Sequence, residues 1–197
     1  MTKTFKIVVL LFLVLVFLYS CTGQKRAEST CVEKFKMARS LASSNPIRQS
    51  ALDSALYLTN ESVGCDSIRR AVIDFKVTLL LAMKKYDEDL HFIDSLKQND
   101  FAFGYKRLFL YSAVKAFKLD TQKDTAARNK IYLQMSKDLE HYINNNHIDN
   151  KEFKEIYTDL FSVKEKFQDA NQMNTDIEAL KKRYPDQQIF FDFFRKD

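Results

Sequence analysis

Asp66 to Lys85, DSIRRAVIDFKVTLLLAMKK, is the most apolar stretch of the chain outside its N-terminus. Its apolar side chains recur at helical spacing on two faces instead of one. The first face holds Ile68, Val72, Phe75 and Leu79, and the second holds Ile73, Val77, Leu80 and Leu81. A helix that is apolar on more than one side has to be covered on more than one side. This stretch therefore predicts the central helix of the N-terminal half.

Helix signals continue on both sides of that stretch. Three residue pairs have the spacing of a capping box, in which two side chains satisfy free N–H groups of the first turn. These pairs are Thr30 with Glu33, Asp149 with Glu152, and Thr175 with Glu178. With 3 Gly and 2 Pro in 197 residues, hairpins and glycine-rich phosphate loops are poorly supplied. We predict a single all-α domain over residues 30–197, with about eight or nine helices in antiparallel pairs. A fifth helix is expected from about Phe101 to Leu119, and an eighth is expected to begin at Thr175.

The N-terminus is the second informative region. Lys3 and Lys6 precede an unbroken apolar run of thirteen residues, Ile7 to Tyr19. A basic start followed by a short apolar segment is typical of an export signal. The run is too short for a stable membrane span, which needs about 20 residues. We therefore predict that residues 1–20 form a signal peptide and that the protein is exported.

The end of this segment carries a family signature. Leu18-Tyr19-Ser20-Cys21 resembles the lipobox of bacterial lipoproteins. The resemblance implies that Cys21 carries lipid, becomes the mature N-terminus and anchors the protein in the cell envelope. Thr22-Gly23 lacks the Asp that retains enterobacterial lipoproteins in the inner membrane, and no acidic tract follows. The resemblance therefore implies the periplasmic face of the outer membrane, with the polar residues 21–29 as a flexible tether.

The mature chain is only weakly basic. The net charge of +5 includes Lys3 and Lys6, so 29 basic and 26 acidic residues remain and the net charge becomes +3. This charge is too mild to indicate a nucleic-acid partner. Hydrophobic residues at 46% and charged residues at 29% are typical of a folded globular chain.

The two cysteines that follow Cys21 form an even pair. Disulfides form and persist in the compartments that exported proteins reach, so Cys31 and Cys65 are candidates for a bond. Such a bond would tie the first helix to the start of the third, and it requires Cα atoms within about 7 Å of each other. Two buried thiols are the alternative.

One helix pair has the length of a known repeat. Residues 152–185 predict two helices joined by a turn, and their 34 residues match a tetratricopeptide repeat. Ala179-Leu180 followed by Pro185 resembles the closing residues of that repeat. The resemblance implies an α-α superhelix in which residues 186–197 form the terminal capping helix. An irregular helical bundle is the alternative.

Residues with catalytic or metal-binding chemistry are few. His91, His141 and His147 are the only histidines, and none has the i,i+4 spacing of metal-binding pairs on a helix. The acids at 87–89 could hold a weak cation near His91. Acids are favoured at a helix start, however, so we interpret these three as a solvated first turn. Nucleophile, phosphate and dinucleotide motifs are missing from the sequence. We predict no enzymatic activity, no metal site and no cofactor.

Aromatic residues are abundant, with 17 Phe and 9 Tyr, and the tail concentrates four of them. Phe190, Phe191, Phe193 and Phe194 span five residues, and one short helix cannot bury four rings on one face. Two interpretations stay open. The rings anchor the tail on the preceding helix pair, or some of them form an exposed patch that a partner covers.

Two functions from different classes fit these features. The first is a non-enzymatic interaction or scaffold domain, anchored through Cys21, that binds an envelope protein or peptide. The second is a small-ligand receptor or an accessory of nutrient uptake, which requires a concave pocket that mixes aromatic and polar side chains. The sequence favours the first, because no stretch concentrates the polar residues that the second needs.

Overall fold

A computed structural model of the chain describes residues 30–43 and 48–196. Every regular element in these residues is helical, so the all-α prediction is confirmed. Residues 30–42 form α1. The later helices are α2 (Gln49–Asn60), α3 (Arg69–Ala82), α4 (Tyr86–Ser95), α5 (Lys106–Thr121), α6 (Thr125–Asn145), α7 (Asn150–Lys164), α8 (Ala170–Arg183) and α9 (Gln188–Asp192). The predicted signal peptide, Cys21 and the tether lie outside the described residues.

The chain divides into two compact units, one that ends at Met83 and one that begins at Lys84. The segment predicted as one domain, residues 30–197, thus contains an N-terminal unit with α1 to α3 and a C-terminal unit with α4 to α9. The resemblance of residues 152–185 to a tetratricopeptide repeat stays a prediction.

The N-terminal unit is organised around α3. The buried side chains of this helix belong to both apolar faces that the sequence predicts, and they are Val72, Ile73, Val77, Leu79 and Leu80. α2 packs against α3. From α1, the ring of Phe35 meets the ring of Phe75 edge-on, with 5.5 Å between centroids. The helix is therefore covered on more than one side, as its pattern requires.

In the C-terminal unit, consecutive helices pack on each other. α4 contacts α5, α5 contacts α6, α6 contacts α7, and α8 contacts α9. The largest side chains that are fully buried in this unit come from α4, α7, α8 and α9, and they are Ile93, Ile156, Tyr157, Phe161, Met173, Ile177 and Phe191. The core of this unit therefore extends to the last helix of the chain.

Aspartates cap three helices of the C-terminal unit. Asp124, Asp149 and Asp169 accept hydrogen bonds of 2.8 to 3.0 Å from backbone N–H groups in the first turns of α6, α7 and α8. At α8 the cap corrects the predicted start, because the helix begins directly after Asp169 and not at Thr175. The Thr175 hydroxyl instead donates to the carbonyl of Asn171 within the helix, at 2.8 Å.

The start of α5 also differs from the prediction. The helix begins at Lys106, whereas the sequence places its start near Phe101. Residues 101–105 form bends and turns. Within them Gly104 lies so close to Tyr142 on α6 that an added Cβ would be 2.8 Å from the tyrosine hydroxyl oxygen. Glycine is used there because the backbone of one segment approaches a side chain of another.

Candidate functional site

Cys31 and Cys65 lie together in the N-terminal unit. The structure joins them as a disulfide, and their Cα atoms are 6.2 Å apart, within the range that such a bond requires. The Ser62 hydroxyl donates to the Cys31 carbonyl at 3.2 Å and adds a second link at the same place. Cys65 is buried. The bond thus serves to hold α1 against the segment that leads into α3, and it offers no reactive thiol.

Three of the four tail rings anchor the tail. Phe191 is fully buried, with ring centroids 5.3 Å from Tyr157 and 6.2 Å from Phe161. Phe194 stacks on Phe161 at 4.6 Å, and Phe190 is half-buried beside Phe191. Phe191 therefore has no surface to offer, which corrects its prediction as a partner-binding residue. Phe190 and Phe194 are largely committed to the core of their own unit.

Phe193 points away from this core. It is 82% exposed, and Ile189, one helical turn earlier, is 79% exposed. Phe193 is the C-cap of α9 and keeps helical backbone angles, so the i,i+4 spacing places both side chains on one side of this segment. We call Ile189 and Phe193 the tail patch. The sequence prediction included Phe193 but missed Ile189, because it considered only the rings and not the spacing between the two residues.

Contacts outside the tail patch fix the segment that presents it. The Asn174 side chain on α8 donates to the Lys196 carbonyl at 2.9 Å and accepts from the Lys196 N–H at 3.1 Å. The Lys181 ammonium lies 2.8 Å from the Asp192 carboxylate. The patch thus lies on an ordered segment, and neither Ile189 nor Phe193 is needed to hold it.

A cleft of about 240 Å³ lies between α6, α7 and α8. Lys164 is buried at this cleft, and its Nζ is 2.7 Å from both Glu140 Oε1 and Asp176 Oδ2. These carboxylates belong to α6 and α8, so one ammonium from α7 joins three helices. Arg183 and Asn144 also line the cleft, 3.4 Å apart.

The pair of Lys164 and Asp176 is ionised at neutral pH. Burial alone would lower the pKa of Lys164, but hydrogen bonds to Asp176 and Glu140 outweigh burial and raise it. Burial likewise opposes ionisation of Asp176, yet the hydrogen bond from Lys164 and those from Gln168 and Gln172 lower its pKa. A general acid or base needs a pKa near the working pH. Lys164 and Asp176 are therefore a structural pair.

A second cavity, of about 140 Å³, opens between α5 and α6, and we call it the α5–α6 crevice. Its walls are mainly apolar and aromatic, with Ser112 and Asp138 as polar members. Leu108 lines it and is 56% exposed. Two larger hollows, of about 380 and 560 Å³, are open depressions of the surface.

A polar cluster links α5 to α7 next to this crevice. The Tyr105 hydroxyl donates to Asp159 at 2.8 Å, and the Lys106 ammonium lies 2.6 Å from Asp159 and 3.4 Å from Glu155. Burial raises the pKa of Asp159 despite the nearby ammonium of Lys106. Burial and then the charge of Asp159 raise the pKa of Tyr105 well above its usual range, so its phenolate is not formed at neutral pH. These groups satisfy one another, and their arrangement favours a structural role.

His91 lies on α4, one turn after Asp87, whereas His141 lies on α6 and His147 follows that helix. His91, His141 and His147 are all exposed. In residues 30–43 and 48–196, no group of three or more His, Cys, Asp or Glu side chains forms a metal-binding arrangement. Asp89 is fully buried, which corrects the expectation that all three acids at 87–89 are solvated.

The comparisons with other proteins add no relative. Known protein families, characterised proteins and solved structures all gave no match to this chain. Within the described ranges, no helix is both long enough and apolar enough to cross a bilayer. Function is therefore inferred from the residues and their geometry alone.

Proposed function

We propose that the protein is a lipoprotein of the bacterial cell envelope whose helical, tetratricopeptide-like domain binds an envelope protein or peptide and catalyses no reaction. Lipid on Cys21 anchors it at the periplasmic face of the outer membrane. The tail patch carries the binding part of this proposal, because Ile189 and Phe193 are 79% and 82% exposed on the segment that the fully buried Phe191 anchors. Neighbouring apolar side chains on an ordered element are typical anchors of protein interfaces.

The polar clusters favour binding over catalysis. Lys164 is shared by Glu140 and Asp176, and Asp159 is shared by Tyr105 and Lys106. Each of these groups is thus occupied by partners from another helix. An acid–base pair, by contrast, needs groups that face a substrate and titrate near the working pH.

A small-ligand receptor is the second candidate function. The cleft at Lys164 mixes aromatic and polar side chains, as such a receptor requires. Its volume of about 240 Å³ and the 140 Å³ of the α5–α6 crevice are below the roughly 300 to 1,000 Å³ of typical ligand pockets. The hollows of about 380 and 560 Å³ reach that range, but they are open depressions that would not enclose a ligand, so protein binding is the better-supported function.

Lipidation is tested by labelling cells with an alkyne analogue of palmitate. We expect the label on the full-length protein and on a Cys31→Ala variant, and no label on Cys21→Ala. The Cys31→Ala variant is the matched control, since it also removes one cysteine. Label that persists on Cys21→Ala would contradict the anchor assignment.

Partner binding is tested by crosslinking in cells followed by affinity purification of the full-length protein. We expect an envelope protein to be recovered with the wild type and lost with Phe193→Ser. Tyr57→Ser is the control, because Tyr57 is also an exposed aromatic residue, at 64%, but lies in the N-terminal unit. An unchanged set of partners in Phe193→Ser would exclude the tail patch. Recovery of no protein would favour the small-ligand function.

A further inference from the structure

The disulfide between Cys31 and Cys65 begins ten residues after the predicted lipid anchor at Cys21. We propose that this bond is a redox-controlled clamp. While it is intact, α1 is held on the N-terminal unit, and its reduction releases α1 and lengthens the tether to the membrane. The part that concerns the tether rests on the proposed function, because it requires lipid on Cys21. The inference goes further by assigning a regulatory role to the bond.

α1 has little buried surface with which to stay in place. Within residues 30–42, only Phe35 and Ala38 are buried, whereas α3 buries five side chains. The ring of Phe35 meets that of Phe75 at its edge, at 5.5 Å between centroids. Isolated helices shorter than about 12 to 15 residues are marginal in water. A helix of this length therefore depends on its attachment to the rest of the unit.

Two polar contacts of α1 contribute only modestly to this attachment. The Lys34 ammonium lies 3.1 Å from the Glu61 carboxylate, but the two side chains are 37% and 44% exposed, and such pairs add little stability. The Ser62 hydroxyl has one hydrogen, which the carbonyls of Cys31 and Leu58 share at 3.2 and 2.8 Å. Neither contact replaces a covalent bond, so loss of the disulfide shifts α1 toward the released state.

The size of that shift follows from the loop that the bond closes. Cys31 and Cys65 are 34 residues apart in sequence. In the loop-entropy model, a bond across such a separation changes the equilibrium between closed and open chains by at least about a hundredfold. A helix attached through few buried side chains is the element on which a change of this size acts first.

The bond is accessible to a reductant from one side. Cys31 is partly exposed, whereas Cys65 is buried. A thiolate of a dithiol reductant attacks Sγ of Cys31, and Cys65 leaves as a thiolate that takes up a proton. The second thiol of the reductant then attacks the mixed disulfide and releases the Cys31 thiol. The dithiol is oxidised to a disulfide, and its two electrons and two protons end on the two cysteines.

Release of α1 changes how far the domain can lie from its anchor. With the bond intact, residues 22–29 separate Cys21 from α1. After release, residues 22–48 separate Cys21 from α2, which begins at Gln49. Flexible chains of these two lengths span about 16 Å and about 29 Å on average. Reduction thus roughly doubles the distance over which the anchored domain can reach a partner.

Hydrogen exchange of residues 22–197, with and without dithiothreitol, tests release. These residues contain Cys31 and Cys65 but not Cys21, so thiol titration shows when the bond is reduced. We expect exchange in α1 to accelerate at least about a hundredfold on reduction, with a smaller change in α2 and α3 and none in α6 and α7. The matched control replaces both cysteines with Ser. It should show fast exchange in α1 without dithiothreitol and no response to it.

The full-length, lipidated protein in phospholipid vesicles tests the change of reach. The chain contains no Trp and Tyr57 on α2 is 64% exposed, so a Tyr57→Trp variant carries a single donor for energy transfer to dansyl-labelled lipid. We expect the transfer to fall at least about twofold on reduction, because the span of the tether roughly doubles. Tyr57→Trp combined with Cys31→Ser and Cys65→Ser should show the low transfer under both conditions.

Two results would overturn the clamp. One is exchange in α1 that stays slow after both thiols appear, and the other is equal acceleration in α1, α2 and α3, which would mean that the whole unit opens. Unchanged energy transfer with α1 released would overturn the change of reach. Protein that leaves the vesicles in both redox states would contradict the lipid anchor of the proposed function, while the exchange experiment still decides whether α1 is clamped.

Discussion

The two compact units hold their helices together by different means. In the N-terminal unit, the disulfide joins Cys31 to Cys65 across a separation of 34 residues. The C-terminal unit contains no cysteine and relies instead on rings packed around Phe191 and on Lys164, which joins three helices. A disulfide stabilises mainly by restricting the unfolded chain, whereas rings and ion pairs contribute only once the helices are packed. Reduction and ring removal should therefore affect different halves of the molecule.

The largest effect should come from Phe191→Ala. Phe191 is fully buried among the rings of the tail, so its removal leaves a cavity and should cost about 3 to 5 kcal/mol of unfolding free energy. Phe193→Ala, two residues away but 82% exposed, should cost less than about 0.5 kcal/mol. Urea denaturation of both variants checks the difference. Equal costs would mean that the tail does not pack as described.

Removal of the disulfide should be next. A double variant, Cys31→Ser with Cys65→Ser, should lose roughly 3 to 4 kcal/mol according to the loop-entropy model. Hydrogen exchange should show the loss in α1, α2 and α3. Exchange in α6 and α7 serves as the internal control and should stay slow. A loss spread evenly over both units would contradict the comparison.

Lys164→Met should lower the unfolding free energy by about 2 kcal/mol, because it leaves Asp176 and Glu140 without their shared cation. The loss should be smaller than for a fully buried pair, since both carboxylates are partly exposed. The matched control is Lys34→Met, which breaks the exposed pair with Glu61 in the N-terminal unit and should cost less than about 1 kcal/mol. Chemical denaturation at pH 7 measures both. Equal losses would show that burial of Lys164 has no energetic consequence.

Asp176 and Asp159 should give opposite pH dependences. The lowered pKa of Asp176 means that it stabilises the fold above about pH 4 and that this stability is lost as the pH falls through its folded pKa. The raised pKa of Asp159 gives the opposite dependence on pH. Its contribution to stability is greatest at low pH and is lost as the pH rises through the pKa of the folded state. Relative to the wild type, Asp176→Asn should therefore become less stable as the pH rises from 3 to 7, and Asp159→Asn should become more stable. Parallel trends would refute the assigned environments.

The smallest effect should come from Lys123→Gly. Lys123 follows α5 with a φ of 61°, a left-handed conformation that favours glycine. The substitution should raise the unfolding free energy by about 0.5 to 1 kcal/mol. Lys137→Gly, in the interior of α6, should lower it by about 1 kcal/mol. Thermal melts of the two variants should move in opposite directions.

The sequence predicted those elements in which one pattern dominates. The two-faced burial of α3 is an example, because the spacing of its apolar residues fits a helix and no other regular structure. The predicted start of α8 was wrong because the prediction considered only the capping-box spacing at Thr175, whereas Asp169 caps the helix in the structure. The start of α5 was also wrong, since it depends on the approach of Gly104 to Tyr142 on another helix.

The candidate site was predicted only in part, for a similar reason. Four phenylalanines within five residues leave two interpretations open, in which the rings anchor the tail or some of them stay exposed. They do not indicate which, because the rotation of α9 is fixed by how it docks on α7 and α8. Phe193 and Ile189 are exposed as a result of that docking. The α5–α6 crevice is formed by residues of two helices, and no local pattern encodes it.

The position of Phe191 has a consequence for turnover of the protein. The chain reaches α9 through Pro185 and Asp186, which are exposed on the surface. A protease that cuts this connection would leave α9 held only by side-chain packing and a few polar contacts. Its departure would uncover Tyr157 and Phe161, which are now fully buried. One cut at an accessible connection would thus convert a stable unit into a substrate for complete degradation.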